Sequence, residues 1–314
     1  MRRIMTNKRG GMDVKTMIYR VRSWMKHQLR ARNTGGHGVH SPYLFEWVRM
    51  VMMDKNSYYA WGKIEAIRNK MLQDERVIEF VDYGSASRSM EKGSKDACGL
   101  SASHNAKNMI GGCAGQRDER RVCDIAKGSL AKKKYAQMLA RLVNWLGRPL
   151  QISHSKEGVG EGLTIVELGT SLGVTTAYMA SVDSRNRVVT YEGCPAVAEI
   201  AKENWNALGI SNIECRVGEI DVDRMGEELG QVDVAFVDAN HTYAGIRAYV
   251  NILLQKMHAK SVLVVDDIHY NADMERAWRE ICEDERVTST MDLYQMGLVF
   301  FDEHYWKRHY VMKL

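Results

Sequence analysis

A short apolar run that ends in two glycines four residues apart constrains this chain more than any other feature. Thr164-Ile165-Val166 reads as a buried parallel strand, Glu167-Leu168-Gly169-Thr170-Ser171-Leu172-Gly173 follows it, and Val174 to Ala180 continues as a helix-compatible segment. Such a strand-to-helix turn is where α/β proteins bind nucleotide-like ligands, because glycine puts no Cβ between the backbone and a closely approaching ligand. A dinucleotide fingerprint needs three glycines set for a pyrophosphate at a helix N-terminus. Here the first is missing and Glu167 precedes the turn, so a ligand built from an amino acid and a nucleoside fits better.

The downstream sequence repeats the strand-helix alternation. Val188-Val189-Thr190-Tyr191-Glu192 is a second β-rich run, and its carboxylate lies 23 positions after Gly169, near the roughly 20-residue offset at which an acidic side chain grips ribose hydroxyls. Glu192, with Gly193 beside it, is the expected ribose site. Pro195 opens a helix that runs through Ala198, Ile200, Ala201 and Trp205 to a stop at Gly209. Three more strands are expected: Ile213 to Val217, Val232 to Val237 before Asp238-Ala239-Asn240-His241, and Ser261 to Val265 before Asp266-Asp267. A helix over Thr242 to Met257 separates the last two. After a helix around Met274 to Ile281, Val287 to Leu293 and Gly297 to Phe301 read as an antiparallel hairpin. The polar carboxyl ends of the strands would then gather at one edge of the sheet, where open parallel sheets bind ligands.

The glycine turn resembles motif I of class I S-adenosylmethionine-dependent methyltransferases, in which Glu/Asp-x-Gly-x-x-x-Gly holds the methionine part of the cofactor. Together with Gly36-His37-Gly38-Val39-His40-Ser41-Pro42-Tyr43, Val81-Asp82-Tyr83-Gly84, Tyr191-Glu192-Gly193, Asp266-Asp267-Ile268-His269 and Ala277-Trp278, it is similar to a family of uncharacterised class I methyltransferases common in Bacteroidetes. The resemblance runs from about Gly36 to the C-terminus. It implies a Rossmann-like α/β fold, a mostly parallel seven-stranded sheet with an antiparallel C-terminal hairpin, and an N-terminal helical extension. It also implies S-adenosylmethionine as cofactor, held by Glu167, Gly169, Thr170, Ser171, Gly173, Glu192, Gly193 and Asp238. Gly218-Glu219 stands where this class contacts the adenine; a solvated turn is the alternative reading.

Methyl transfer from a sulfonium needs no acid, because departure neutralises a positive charge; it needs an aligned, sufficiently deprotonated nucleophile. Asp238, Asp266 and Asp267 end adjacent strands, where unpaired carboxylates would repel. A hard divalent cation, Mg2+ first among those with oxygen ligands, resolves that repulsion. The arrangement resembles metal-dependent O-methyltransferases of the catechol and caffeoyl-CoA type. Asp238 and His241 also match the Asp-x-x-His of macrolide-sugar O-methyltransferases, which implies Asp238 on the metal and His241 as the proton acceptor. The alternative is that Asp238 and Asp267 cap helices and His241 only shapes the pocket.

Charge is segregated along the chain. The net +5 comes from residues 1–32, where ten Lys/Arg face only Asp13, and the remaining 282 residues carry 34 basic against 38 acidic groups. Val14, Met17, Ile18, Val21, Trp24, Met25 and Leu29 share one helical face, so residues 1–34 read as a basic amphipathic arm. Packing on its own domain is the plainer expectation; contact with an anionic membrane, nucleic acid or a second subunit is the other. Residues 35–121 read as a helical region with a flexible Gly/Ser-rich loop between Gly84 and Arg121. The methyltransferase domain is expected over residues 122–314, opened by a helix from Val122 to Trp145. His37 and His40 read as buried residues at the turn before Pro42, or as pocket lining. None of the six cysteines forms a C-x-x-C pair, no apolar span of about 18 residues occurs, and no signal peptide is legible, so the cytoplasm is the expected compartment.

Three functions follow. The first is O-methylation of a small-molecule hydroxyl, and the second is methylation of a nucleic acid recruited by the arm. The third is a non-catalytic cofactor-binding regulatory protein.

Overall fold

Strands too apolar for one solvated face must be covered on both sides, and that requirement builds this molecule. The computed structural model describes residues 14–82, 116–148, 162–303 and 307–314. Helices α1 (Val14–Arg30), α2 (Pro42–Trp47, prolonged by a π turn over Val48–Met52) and α3 (Tyr59–Gln73) lead to an antiparallel pair, β1 (Val77–Asp82) and β2 (Gln116–Arg121). Helices α4 (Val122–Ser129) and α5 (Lys133–Leu146) follow. The alternating core then comprises β3 (Thr164–Leu168), α6 (Val174–Ala180), β4 (Arg187–Glu192), α7 (Pro195–Leu208), β5 (Ile213–Val217), α8 (Val222–Glu228), β6 (Val232–Val237), α9 (Tyr243–Lys256) and β7 (Met257–Asp266). The chain closes with α10 (Ala272–Glu283), β8 (Ser289–Asp292), β9 (Met296–Phe300) and β10 (Arg308–Val311).

The main sheet has the order β10-β8-β9-β7-β6-β3-β4-β5. Strand β9 runs antiparallel to β7 and β8, and every other pairing is parallel. This is the Rossmann-like arrangement expected, with eight strands among the described residues rather than seven. The extra strand, β10, is the four-residue stretch Arg308-His309-Tyr310-Val311, too short and polar to announce itself. Period-two alternation sorts the core. Ile165, Val188, Val234, Phe236 and Val264 pack with Trp47 and Leu139 on one face; Val166, Val189, Ala235 and Val265 pack with Ile246 and Trp278 on the other.

Three expectations change. The helix predicted from Val122 to Trp145 is two helices: Leu130 turns extended at ψ 120°, and the Ser129 hydroxyl caps back onto the Ile125 carbonyl. The loop expected between Gly84 and Arg121 ends in β2, whose sequence Gln-Arg-Asp-Glu-Arg-Arg has no apolar alternation. It pairs with β1 through its backbone, an Arg117–Glu79 ion pair and Arg120 over the Phe80 ring; most of the expected loop lies outside the described residues. His37 and His40 are exposed rather than buried, and Ser41 caps α2 by accepting from Leu44 N. Among the described residues, no helix is long and apolar enough to cross a membrane.

Candidate active site

The glycine turn lies where the sheet order reverses: β3 pairs with β4 on one side and β6 on the other. Crevices form at such a switch point because neighbouring connections leave in opposite directions. Gly169, Ser171 and Gly173 all have positive φ, at 99°, 50° and 73°. A β-carbon on Gly169 would overlap the carbonyl oxygen of Asp238, and one on Gly173 would lie 2.6 Å from the Trp205 indole nitrogen. The glycines are therefore demanded by the protein's own neighbours, and close approach of a ligand is not needed to explain them. Trp205 Nε1 donates to Gly173 O at 2.8 Å and Asn204 Nδ2 to Leu172 O at 2.9 Å, so α7 holds the turn in place.

Glu167 and Glu192 occupy different environments. Glu167 is fully buried, and its Oε2 accepts the hydroxyls of Thr176 and Thr190. Burial pushes its carboxyl up to about 7 against the pull of those hydroxyls. Its route to the turn is indirect, through Thr190 to Thr170, whose hydroxyls are 2.6 Å apart. Glu192 is half-buried, and its two oxygens accept from Ser171 N at 2.8 Å and Cys194 N at 2.9 Å. Both carboxylate oxygens are thus held by backbone donors at the carboxyl end of β4. Gly193 follows it, and Gly218 N donates to Glu192 O at 2.8 Å. Gly218 and the exposed Glu219 line a cleft of about 570 Å³ with Tyr191, Arg216 and Arg224.

Strands β6 and β7 deliver Asp238, Asp266 and Asp267 to the same edge. His241 Nε2 stands 3.7 Å from Asp238 Oδ1 and 3.4 Å from Asp267 Oδ2. Burial raises the Asp238 carboxyl well above its ordinary value, and Asp266, Asp267 and Glu167 add to the shift. Asp266 is pushed up to about 8, first by burial and then by Asp267. Asp267 has a φ of 53° and accepts from Gln295 Nε2. The carboxylates thus converge as expected, but among the described residues no three His, Cys, Asp or Glu side chains are grouped to hold a metal ion. Asp266 is nearly sealed off, at 6% exposure, and Asp267 accepts from Gln295. The proposed Mg2+ set of Asp238, Asp266 and Asp267 is not assembled.

Several residues of this edge carry no sequence signal. Gln295 comes from the β8–β9 hairpin, Tyr270 lies against the His241 ring at 5.3 Å, and Ser129 Oγ sits 2.6 Å from Ser171 Oγ. Each reaches the site across a long sequence separation, so no spacing rule could have found it.

Several known proteins are similar to parts of this chain. Residues 166–268 match the family model of a methyltransferase domain. A stretch of 76 residues is 33% identical to a protein-L-isoaspartate O-methyltransferase of Magnetococcus marinus, covering 24% of this chain and 32% of that protein. Another of 60 residues is 43% identical to protein-L-isoaspartate O-methyltransferase 1 of Archaeoglobus fulgidus, covering 19% of this chain and 28% of the relative. The chain spans about a third of the length of these curated relatives. The crystal structure of a Bacillus cereus O-methyltransferase in complex with SAH is similar over 55% of this chain and 82% of that one, at 20% identity and a TM-score of 0.45. The segment that holds the glycine turn, Glu192 and the carboxylate edge matches a methyltransferase-domain family model and lies on the Rossmann-like sheet.

Proposed function

We propose that the chain is an S-adenosylmethionine-dependent methyltransferase that methylates a hydroxyl of a small-molecule acceptor, with His241 as the base. The observation that carries this reading is the seat of the His241 imidazole between Asp238 and Asp267, at the sheet edge that also bears the Gly169 turn. The methyltransferase-domain match supports the cofactor class.

The donor set suits a cationic cofactor. Asp238, Asp266 and Glu167 each sit in surroundings that penalise a further negative charge, so a sulfonium nearby would relieve repulsion that the folded chain otherwise bears. Glu192 offers its free lone pairs to ribose hydroxyls. When bound, S-adenosylmethionine supplies a methyl group whose departure neutralises the sulfonium. His241 Nε2 would take the hydroxyl proton of an acceptor whose oxygen receives that methyl group, and the flanking carboxyl groups would stabilise the resulting imidazolium. No step is assigned to a metal.

Calorimetric titration of the full chain with S-adenosylmethionine tests the cofactor, with dissociation constants in the micromolar range expected. Transfer of radiolabelled methyl to hydroxyl-bearing acceptors tests the chemistry. Absence of binding at millimolar cofactor would overturn the reading.

A further inference from the structure

Helix α1 is docked the wrong way round for an ordinary surface helix. Its polar side meets the protein: Ser23 Oγ donates to Glu275 Oε1 at 2.5 Å, His27 Nε2 lies 3.2 Å from Asp292 Oδ1, and the Tyr294 hydroxyl donates to Arg20 O at 2.9 Å. Among the described side chains of the helix, Ser23 and His27 are the buried ones. The apolar stripe points outward, with Met17, Ile18, Val21, Trp24 and Met25 at least half exposed and Leu29 80% exposed. A helix that packs on its own domain normally buries that stripe. The plainer expectation for the arm, an apolar face laid on the core, is therefore not what the structure shows.

Charge says what the stripe fits. Helix α1 contains no acidic residue, and Arg22, Lys26 and Arg30 are exposed beside the apolar row. A second copy applied to this face by two-fold symmetry would set that basic row against itself. Nucleic acid would satisfy the cations and leave six apolar side chains in water. An anionic lipid surface satisfies both, since aliphatic and indole groups enter the acyl boundary while Lys and Arg stay among the headgroups.

From this arrangement we infer that α1 is a seat for anionic membrane, held to the methyltransferase domain by the buried polar contacts of Ser23 and His27. The helix lies next to the active-site edge. The Arg20 guanidinium stands 4.8 Å from the centre of the Tyr270 ring, and the His241 ring lies 5.3 Å from that same ring. A bilayer bound to α1 would lie on the side of the molecule that carries Tyr270 and His241. The inference concerns binding and does not depend on methyl transfer.

Sedimentation of the full chain with vesicles tests it, using phosphatidylcholine alone and phosphatidylcholine with 30 mol%, about a third, of phosphatidylglycerol. Binding to the anionic vesicles alone, falling steeply between low and high salt, is expected. The Trp24→Ser/Leu29→Ser and Arg22→Gln/Lys26→Gln variants should each weaken it by about tenfold or more. All four side chains are exposed, so thermal unfolding should be unaltered and a loss of binding would not reflect misfolding. Failure to bind anionic vesicles at low salt would overturn the inference, as would equal binding by the variants. Concentration-dependent self-association or RNA binding, abolished by the same substitutions in a chain that ignores vesicles, would overturn it in favour of that partner.

Discussion

The Asp238 carbonyl fills the space that a side chain on Gly169 would need. The turn after β3 and the carboxylate edge after β6 are thereby one rigid unit, also tied by Asp238 N donating to Leu168 O at 2.8 Å. A change at Gly169 would act first on the fold and only then on a ligand.

Gly169→Ala should consequently destabilise the protein by about 2–4 kcal/mol, from the φ of 99° and the overlap with Asp238 together. Urea unfolding measures this. An alanine variant as stable as the parent would show that the backbone can yield, and that ligand approach is the reason for the glycine after all.

His241→Ala should lower kcat by about 10²- to 10⁴-fold and leave the calorimetric affinity for S-adenosylmethionine within a few-fold of the parent. The separation matters because His241 touches carboxyl groups rather than the glycine turn. A defect confined to KM would mean that His241 shapes the acceptor pocket and takes no proton.

His269 links stability to pH. Burial by itself would lower its pKa, but hydrogen bonds at 2.9 Å to both Asp292 and Glu275 raise it to about 9. The Tyr294 ring stacks on it and the His27 ring meets it edge-on. The folded state therefore keeps a proton that the unfolded chain releases near 6.5, the ordinary value. Its contribution, on the order of 2–3 kcal/mol, is complete below that pH and is lost as pH rises toward 9. Glu275 is lowered to about 2 by His269, Ser23 and Tyr19 against its burial, so its share is present above about pH 4.5 and lost in acid. Urea unfolding from pH 6 to 9.5 should show the alkaline decline in the parent and a shallower one in Asp292→Asn, the remainder coming from the raised carboxyls of Glu167 and Asp266; identical profiles would exclude His269 as a cause.

Mg2+ should bind the resting protein weakly, with millimolar affinity at best, because two carboxylates without a third ligand hold the ion loosely. Calorimetric titration checks this. Micromolar affinity abolished by Asp267→Ala would show that Gln295 releases Asp267 and that the carboxylates close on the ion.

Most of the fold from Thr164 onward was legible in the sequence. Strands β5 and β6 and helix α6 have the boundaries that the apolar runs predict, and α7 begins at Pro195 and closes at Gly209, where φ is 70°. These are local signals: buried strands must be continuous in apolar residues, and helix ends need particular backbone chemistry. The same logic could not find β2 or β10. Their stability comes from a partner strand rather than from their own side chains, and β2 is charged or polar throughout.

By itself the sequence determined the alternation of strands and helices, the location of the glycine turn, and which polar residues crowd the carboxyl edge, because each follows from spacing along one chain. The tertiary structure decided what those residues do to one another. It showed that Gly169 yields to Asp238, that Glu167 is sealed and hydrogen-bonded to two threonines, and that Gln295 donates to Asp267. It also turned α1 polar side inward, since buried Ser23 and His27 meet the half-buried Glu275 and Asp292 only across more than 240 residues of sequence, a distance over which no periodicity carries information.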